Sequence, residues 1–147
     1  MNLGIYVKSL ANESEMSFVS NIVNFAIDNN HVKDCSIFYD GIGFIPFDIP
    51  CGMFNSTDLW NFSGELLVLH SDCVKSALNI VNKINIFYYY GWNDNITLFN
   101  LLHICNTGVK VIPKTEKDKN NLYRLTGVDT QFISDSEDII NLLGNKS

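Results

Sequence analysis

A chain of 147 residues is long enough for one domain with a real core, and 46% hydrophobic against 18% charged residues excludes a disordered chain. A net charge of −6 with a single arginine, Arg124, excludes a phosphate-neutralising nucleic-acid face; the run Lys110, Lys114, Lys117, Lys119 is broken by Glu116 and Asp118 and reads as a solvated helix face. The longest apolar run, residues 84–90, is far too short to cross a bilayer, so no membrane partner is expected.

Strand-like and helix-like segments then alternate along the chain. Residues 3–7 (LGIYV) read as the first strand. Asn12 is a helix N-cap with Glu15 three residues on, and Val19, Ile22, Val23, Ala26 and Ile27 follow at helical spacing. Residues 35–39 (CSIFY) form the second strand. Residues 40–63 hold Gly41, Gly43, Pro46, Pro50 and Gly52, so most of this stretch is expected to be an irregular loop, with a short capped helix at Ser56, Thr57, Asp58, Leu59 and Trp60. Residues 65–69 (ELLVL) form the third strand. Ser71 and Asp72 cap a helix carrying Val74, Ala77, Leu78 and Val81. Residues 84–90 (INIFYYY) form a fourth strand, apolar on both faces and therefore interior. Asp94 and Asn95 cap a helix with Leu98, Leu101, Leu102 and Cys105, ended by Gly108. Residues 109–112 form the fifth strand. Thr115 opens a helix with Leu122 and Leu125, closed by Gly127. A short last strand is expected at 130–133, then a final helix with Ile139, Ile140 and Leu143.

Strands alternating with helices predict βαβ units. The expected architecture is an α/β, doubly wound, Rossmann-like and mostly parallel sheet of about five or six strands, with helices on both faces. With no linker or repeat, residues 1–147 read as a single domain. Cys35, Cys51, Cys73 and Cys105 show no C-x-x-C spacing and are expected to be inert thiols. The start of the chain lacks a signal-peptide pattern, so the expected location is cytoplasmic.

In open parallel sheets, ligands bind beyond the carboxyl ends of the strands. That rule collects Lys8 and Ser9, Asp40 and Gly41, His70 and Asp72, Tyr90, Gly91, Trp92 and Asp94, and Lys114 as candidate ligand-binding residues, with Ser134 and Asp135 after the expected last strand. Residues 40–63 are either a lid or plain cover for the sheet edge. Tyr90 and Trp92 would stack on a sugar or base, anchor an interface or sit in the core.

Known chemistries of this architecture can be tested by motif. The first turn, Lys8 to Asn12, has no glycine and so no dinucleotide fingerprint; P-loop, C-x-x-C and G-x-S-x-G patterns are missing too. Acids at nearly every helix start, including Glu15, Asp58, Asp72, Asp94 and Asp118, would repel a nucleotide diphosphate. No catalytic residue or cofactor is evident. A metal held by His70 and Asp72 with Asp40, Asp94 and Asp135 is conceivable, but a hydrogen-bonded histidine is the expected state, so no metal site is assigned.

The opening MNLGIYVK and the late segments GVKVIP (108–113), LYRLTG (122–127) and SDSEDII (134–140) resemble one half of a two-Rossmann-domain (GT-B) glycosyltransferase. The whole chain is also similar to short, glycosyltransferase-like proteins of tailed phages, including cyanophages, and its abundant asparagine suits an AT-rich phage genome; the location would then be the host cytoplasm. The resemblance implies a sugar or nucleotide-sugar ligand at the strand ends. It also implies that an intact enzyme would need a second half, from another protein chain or a homo-oligomer. It carries over no catalytic residue, because the glutamate-rich donor motif is missing. The alternative is a non-catalytic structural or interaction module with a degenerate site; a third reading is a small-molecule enzyme using His70 and Asp72.

Overall fold

The computed structural model describes residues 1–45, 47–80, 83–92 and 95–144. Six strands form one all-parallel sheet: β1 (Asn2–Ser9), β2 (Asp34–Gly41), β3 (Gly52–Asn55), β4 (Gly64–Val68), β5 (Ile84–Tyr90) and β6 (Lys110–Pro113), in the order β3-β2-β1-β4-β5-β6. The helices are α1 (Glu13–Ile27), α2 (Ser71–Leu78), α3 (Leu98–Asn106), α4 (Glu116–Thr126) and α5 (Ser136–Gly144), with a 3-10 helix at Ser56–Asn61.

Period-two alternation divides the core. Leu3, Ile5 and Val7 of β1 face α1 and α5, whose Val19, Ile22, Val23, Ile139 and Leu143 bury against them. Tyr6, Leu66, Val68, Tyr88 and Val111 face the opposite side, covered by Val74 and Ala77 of α2, Leu101 and Ile104 of α3 and Leu122 of α4. The sheet is therefore doubly wound, as the alternation predicts. The chain steps outward from β1 to β3, crosses back over the second face and steps outward again from β4 to β6. The strand order reverses between β1 and β4, which is where open parallel sheets take ligands, beyond the carboxyl ends.

Local signals set several boundaries. Asn12 accepts the Glu15 N–H at 3.0 Å and starts α1. Gly127 ends α4 in the left-handed conformation, and Gly108 follows α3 with φ 84°. The interior position of β5 agrees with its apolar run: Tyr88 and Tyr89 are both fully buried, on opposite faces.

Four expectations need correction. The loop at 40–63 contains a real strand, β3; its four residues pair with β2 although they begin with Gly52 just after Pro50. Residues 130–133 are not a strand: Ile133 N–H reaches the Pro113 carbonyl at 2.9 Å, but a cavity of about 410 Å³ separates Thr130 and Gln131 from β6 and no ladder forms. The α3 cap is Thr97, which accepts the Asn100 N–H at 3.2 Å, not Asn95. His70, rather than Ser71 or Asp72, occupies the α2 N-cap, and α2 ends at Leu78. Asp94 and Val81 lie outside the described residues. No helix among the described residues is long and apolar enough to cross a membrane.

Candidate functional site

The switch point is built from two helix starts. Pairing of β1 with β4 continues past the strand end, where Leu69 N–H donates to the Tyr6 carbonyl at 3.2 Å, and brings His70 to the switch point. His70 has extended backbone and makes no side-chain cap bond. Its imidazole reaches across to α1, with Nε2 3.0 and 2.9 Å from the two Glu15 carboxylate oxygens. Glu15 is 1% exposed. A carboxylate this deep needs a cation or strong donors, and His70 supplies them. The pairing with both carboxylate oxygens orients the imidazole at the switch point.

A second group of polar side chains lies beside it. Tyr6 O–H donates to Asp40 Oδ1 at 2.6 Å, and the Cys73 thiol lies 3.7 Å from Asp40 Oδ2. Burial, and then the Asp40 carboxylate, push both the Tyr6 phenol and the Cys73 thiol well above their ordinary values. Both stay protonated, so neither is a ready nucleophile. A cavity of about 170 Å³ opens against this pair, lined by Tyr6, Asp40, Ser56, Thr57, Trp60 and Ser76. It brings the 3-10 helix of the long loop together with β1, β2 and α2. A carboxylate, three aliphatic hydroxyls and a half-exposed indole are the groups that hold a polyol ring. The volume falls short of the ~300 Å³ at which ligand pockets usually begin, so the cavity fits a small ring, not a nucleotide.

The remaining candidates divide by what they contact. Lys8 and Asp72 pair at 3.0 Å, both exposed, and the lysine holds the Asp72 carboxyl below its ordinary range. With Glu15 on His70 and Asp72 on Lys8, the two acids at the switch point already have partners. The repulsion expected from them is weaker than their sequence positions imply. Ser9 accepts the Ala11 N–H at 3.1 Å and Gly41 the Leu10 N–H at 3.1 Å, so both shape the β1–α1 turn. Gly43 presses so close to that turn that a Cβ would sit 2.6 Å from the Ala11 backbone.

Trp92 is not an open stacking platform. Its ring stacks on Phe18 of α1 at 5.1 Å, Phe18 stacks on Tyr89 at 5.1 Å, and Lys114 Nζ lies 3.8 Å from the indole centroid. Trp92 and Lys114 lie together beyond the ends of β5 and β6. Gly91 makes the turn between β5 and Trp92 with φ 117°. Tyr90 points to the second face, edge-on to Tyr88 at 6.3 Å. Asp94 is outside the described residues.

Among the described residues, no three His, Cys, Asp or Glu side chains converge as metal ligands would. His70 and Asp72 turn to different partners, and Asp135 caps α5 by accepting the Glu137 N–H at 2.8 Å.

Glu15, Tyr6, Cys73 and Trp60 escape the strand-end rule. Glu15 hides as a capping-box residue, yet it does not return to Asn12. The signal was present: Glu15 lies on the same helical stripe as Val19, Ile22, Val23 and Ala26, an apolar face on which a carboxylate has to find a buried partner. No protein-family model, curated protein or solved structure matches the chain.

Proposed function

We propose that the chain is a glycosyltransferase-like domain that takes a sugar at the carboxyl ends of its strands. The observation that carries this reading is the polar cavity at Asp40, near the carboxyl ends of β1 and β2. Asp40 accepts sugar hydroxyls, Ser56, Thr57 and Ser76 add hydrogen bonds, and Trp60 offers an apolar ring face. The His70 imidazole, oriented by Glu15, is the group that would exchange a proton with a sugar hydroxyl at the strand ends. The cavity's size favours the sugar ring as the buried part. A nucleotide half of the donor would lie outside it, toward Lys8 and Lys114.

Calorimetric titration with a panel of free sugars and nucleotide sugars tests this. One sugar is expected to bind, Asp40→Asn to weaken it at least tenfold, and His70→Gln to leave binding intact while abolishing any transfer or hydrolysis. Absence of binding across the panel by wild type overturns the reading.

The exposed face of α3 favours a second reading, a non-catalytic interaction module. Phe99 is 79% exposed and Leu98 and Leu102 flank it, an apolar cluster of the kind that marks contact surfaces. Light scattering separates the two: concentration-dependent self-association that Phe99→Ser abolishes, with no sugar bound, selects the module.

A further inference from the structure

At the opposite end of the sheet, β2 and β3 run parallel with Ser36 opposite Gly52 as their first paired positions. One residue further toward the amino end, Cys35 and Cys51 therefore face each other across the same two strands. Neighbouring strands lie ~4.8 Å apart, inside the ~4.4–6.8 Å between Cα atoms that a disulfide spans. Both side chains pack on the α1 face of the sheet, and the interaction between the two thiols holds that of Cys51 below its ordinary value and pushes that of Cys35 up. Both are free and half-buried, and both line an open cavity of about 270 Å³ with Lys33, Asp34 and Pro50. An oxidant can thus reach them. Cys73 and Cys105 differ: burial raises both thiols, and Cys73 is fully covered.

We propose that Cys35 and Cys51 are a redox-active dithiol that a small-molecule disulfide, such as oxidised glutathione, converts to an intrachain disulfide. The Cys51 thiolate attacks one glutathione sulfur, forming a mixed disulfide and expelling a glutathione thiolate. Cys35 loses its proton to water and attacks the Cys51 sulfur, forming the Cys35–Cys51 bond and expelling the second glutathione thiolate. The two thiolates take up two protons. The protein pair loses two electrons and oxidised glutathione gains them, leaving two reduced glutathiones. The new bond closes residues 36–50 into a loop. Its free part includes Gly43, which packs on the turn before α1 at the candidate site, so oxidation tightens one border of that site. The proposal stands whether or not the site binds sugar.

The full chain is equilibrated in glutathione buffers from fully reduced to fully oxidised, quenched with an alkylating agent and mapped by peptide mass spectrometry. A peptide joining Cys35 to Cys51 is expected, with Cys73 and Cys105 alkylated, and a melting temperature higher than the reduced chain by about 5–10 °C. Cys35→Ser is expected to stop at glutathione on Cys51, and Cys51→Ser to give no cross-link. Alkylation of both cysteines in wild type under full oxidation overturns the proposal. So does a cross-link through Cys73 or Cys105, or glutathione left on wild-type Cys51.

Discussion

The two ends of the sheet are held by different means. At the carboxyl ends, side chains from separate elements pair across space: Tyr6 with Asp40, Lys8 with Asp72, and Glu15 with His70. At the amino ends, backbone closes the structure. Lys33 N–H donates to the Met1 carbonyl at 2.7 Å and Gly64 N–H to the Lys83 carbonyl at 3.1 Å, and side-chain bonds run from Asn85 to Glu65 at 3.3 Å and from Asn2 to the Ser63 carbonyl at 3.4 Å. Backbone bonds hold position and offer little chemistry. Paired titratable side chains cost more to bury, and a fold places that cost where it is used. The contrast is in how the two ends are held: paired side chains at the carboxyl end, mainly backbone at the amino end.

The sharpest way to break the comparison is at Glu15. His70→Ala leaves a buried carboxylate without its hydrogen-bonding partner and is expected to cost ~3–5 kcal/mol in denaturant unfolding. Adding Glu15→Gln should recover part of that loss, since the two changes share one interaction. Strict additivity would show that the pair does not act as a unit.

At the other end, Gly64→Ala probes backbone alone. Gly64 has φ 146°, and a Cβ would lie 2.3 Å from the Asn2 carbonyl oxygen. A loss of ~2–3 kcal/mol is expected, with any sugar affinity per folded molecule unchanged. A change in affinity would mean that the two ends are coupled.

Tyr6→Phe sharpens the carboxyl end. It removes one short bond to a carboxylate and should cost ~1–2 kcal/mol while weakening ligand binding at the Asp40 cavity. The smallest effect belongs to the exposed Lys8–Asp72 pair, where Lys8→Ala should cost less than ~1 kcal/mol and the loss should shrink in high salt. Asp72 has a folded value below its unfolded one, so its contribution is present above the ordinary aspartate range and fades as pH falls through the lower folded value. Wild-type and Lys8→Ala unfolding curves should therefore converge in acid. A gap that persists at low pH would show that Lys8 stabilises by packing.

Local patterns alone give the fold class: the alternating strands and helices, the Asn12 cap, the Gly127 stop and the two-sided burial of residues 84–90. Each depends on neighbours within a few positions, where side-chain period and backbone preference act. Five of the six strands are legible in this way. β3 is not, because four residues that begin with Gly52 just after Pro50 acquire their strand character only by pairing with β2. The segment at 130–133 has strand-like residues and no strand, because Ile133 meets β6 at Pro113 while Thr130 and Gln131 border a cavity and form no ladder with it.

The strand-end rule likewise reaches Lys8, Asp40, His70 and Asp72 from the sequence, since the end of a strand is a local property. Which of them meet is decided by strand order. Placing β4 beside β1 brings His70 to Glu15 across 55 positions of sequence, and placing β3 beside β2 sets Cys51 opposite Cys35. Trp92, which the sequence leaves open between ligand, interface and core, is covered by Phe18 from a helix more than seventy residues earlier. The sequence thus determined the elements and the end of the sheet where chemistry gathers. Only tertiary packing decided the pairs, because contacts between distant segments depend on how whole elements bury their apolar faces, and no local pattern records that.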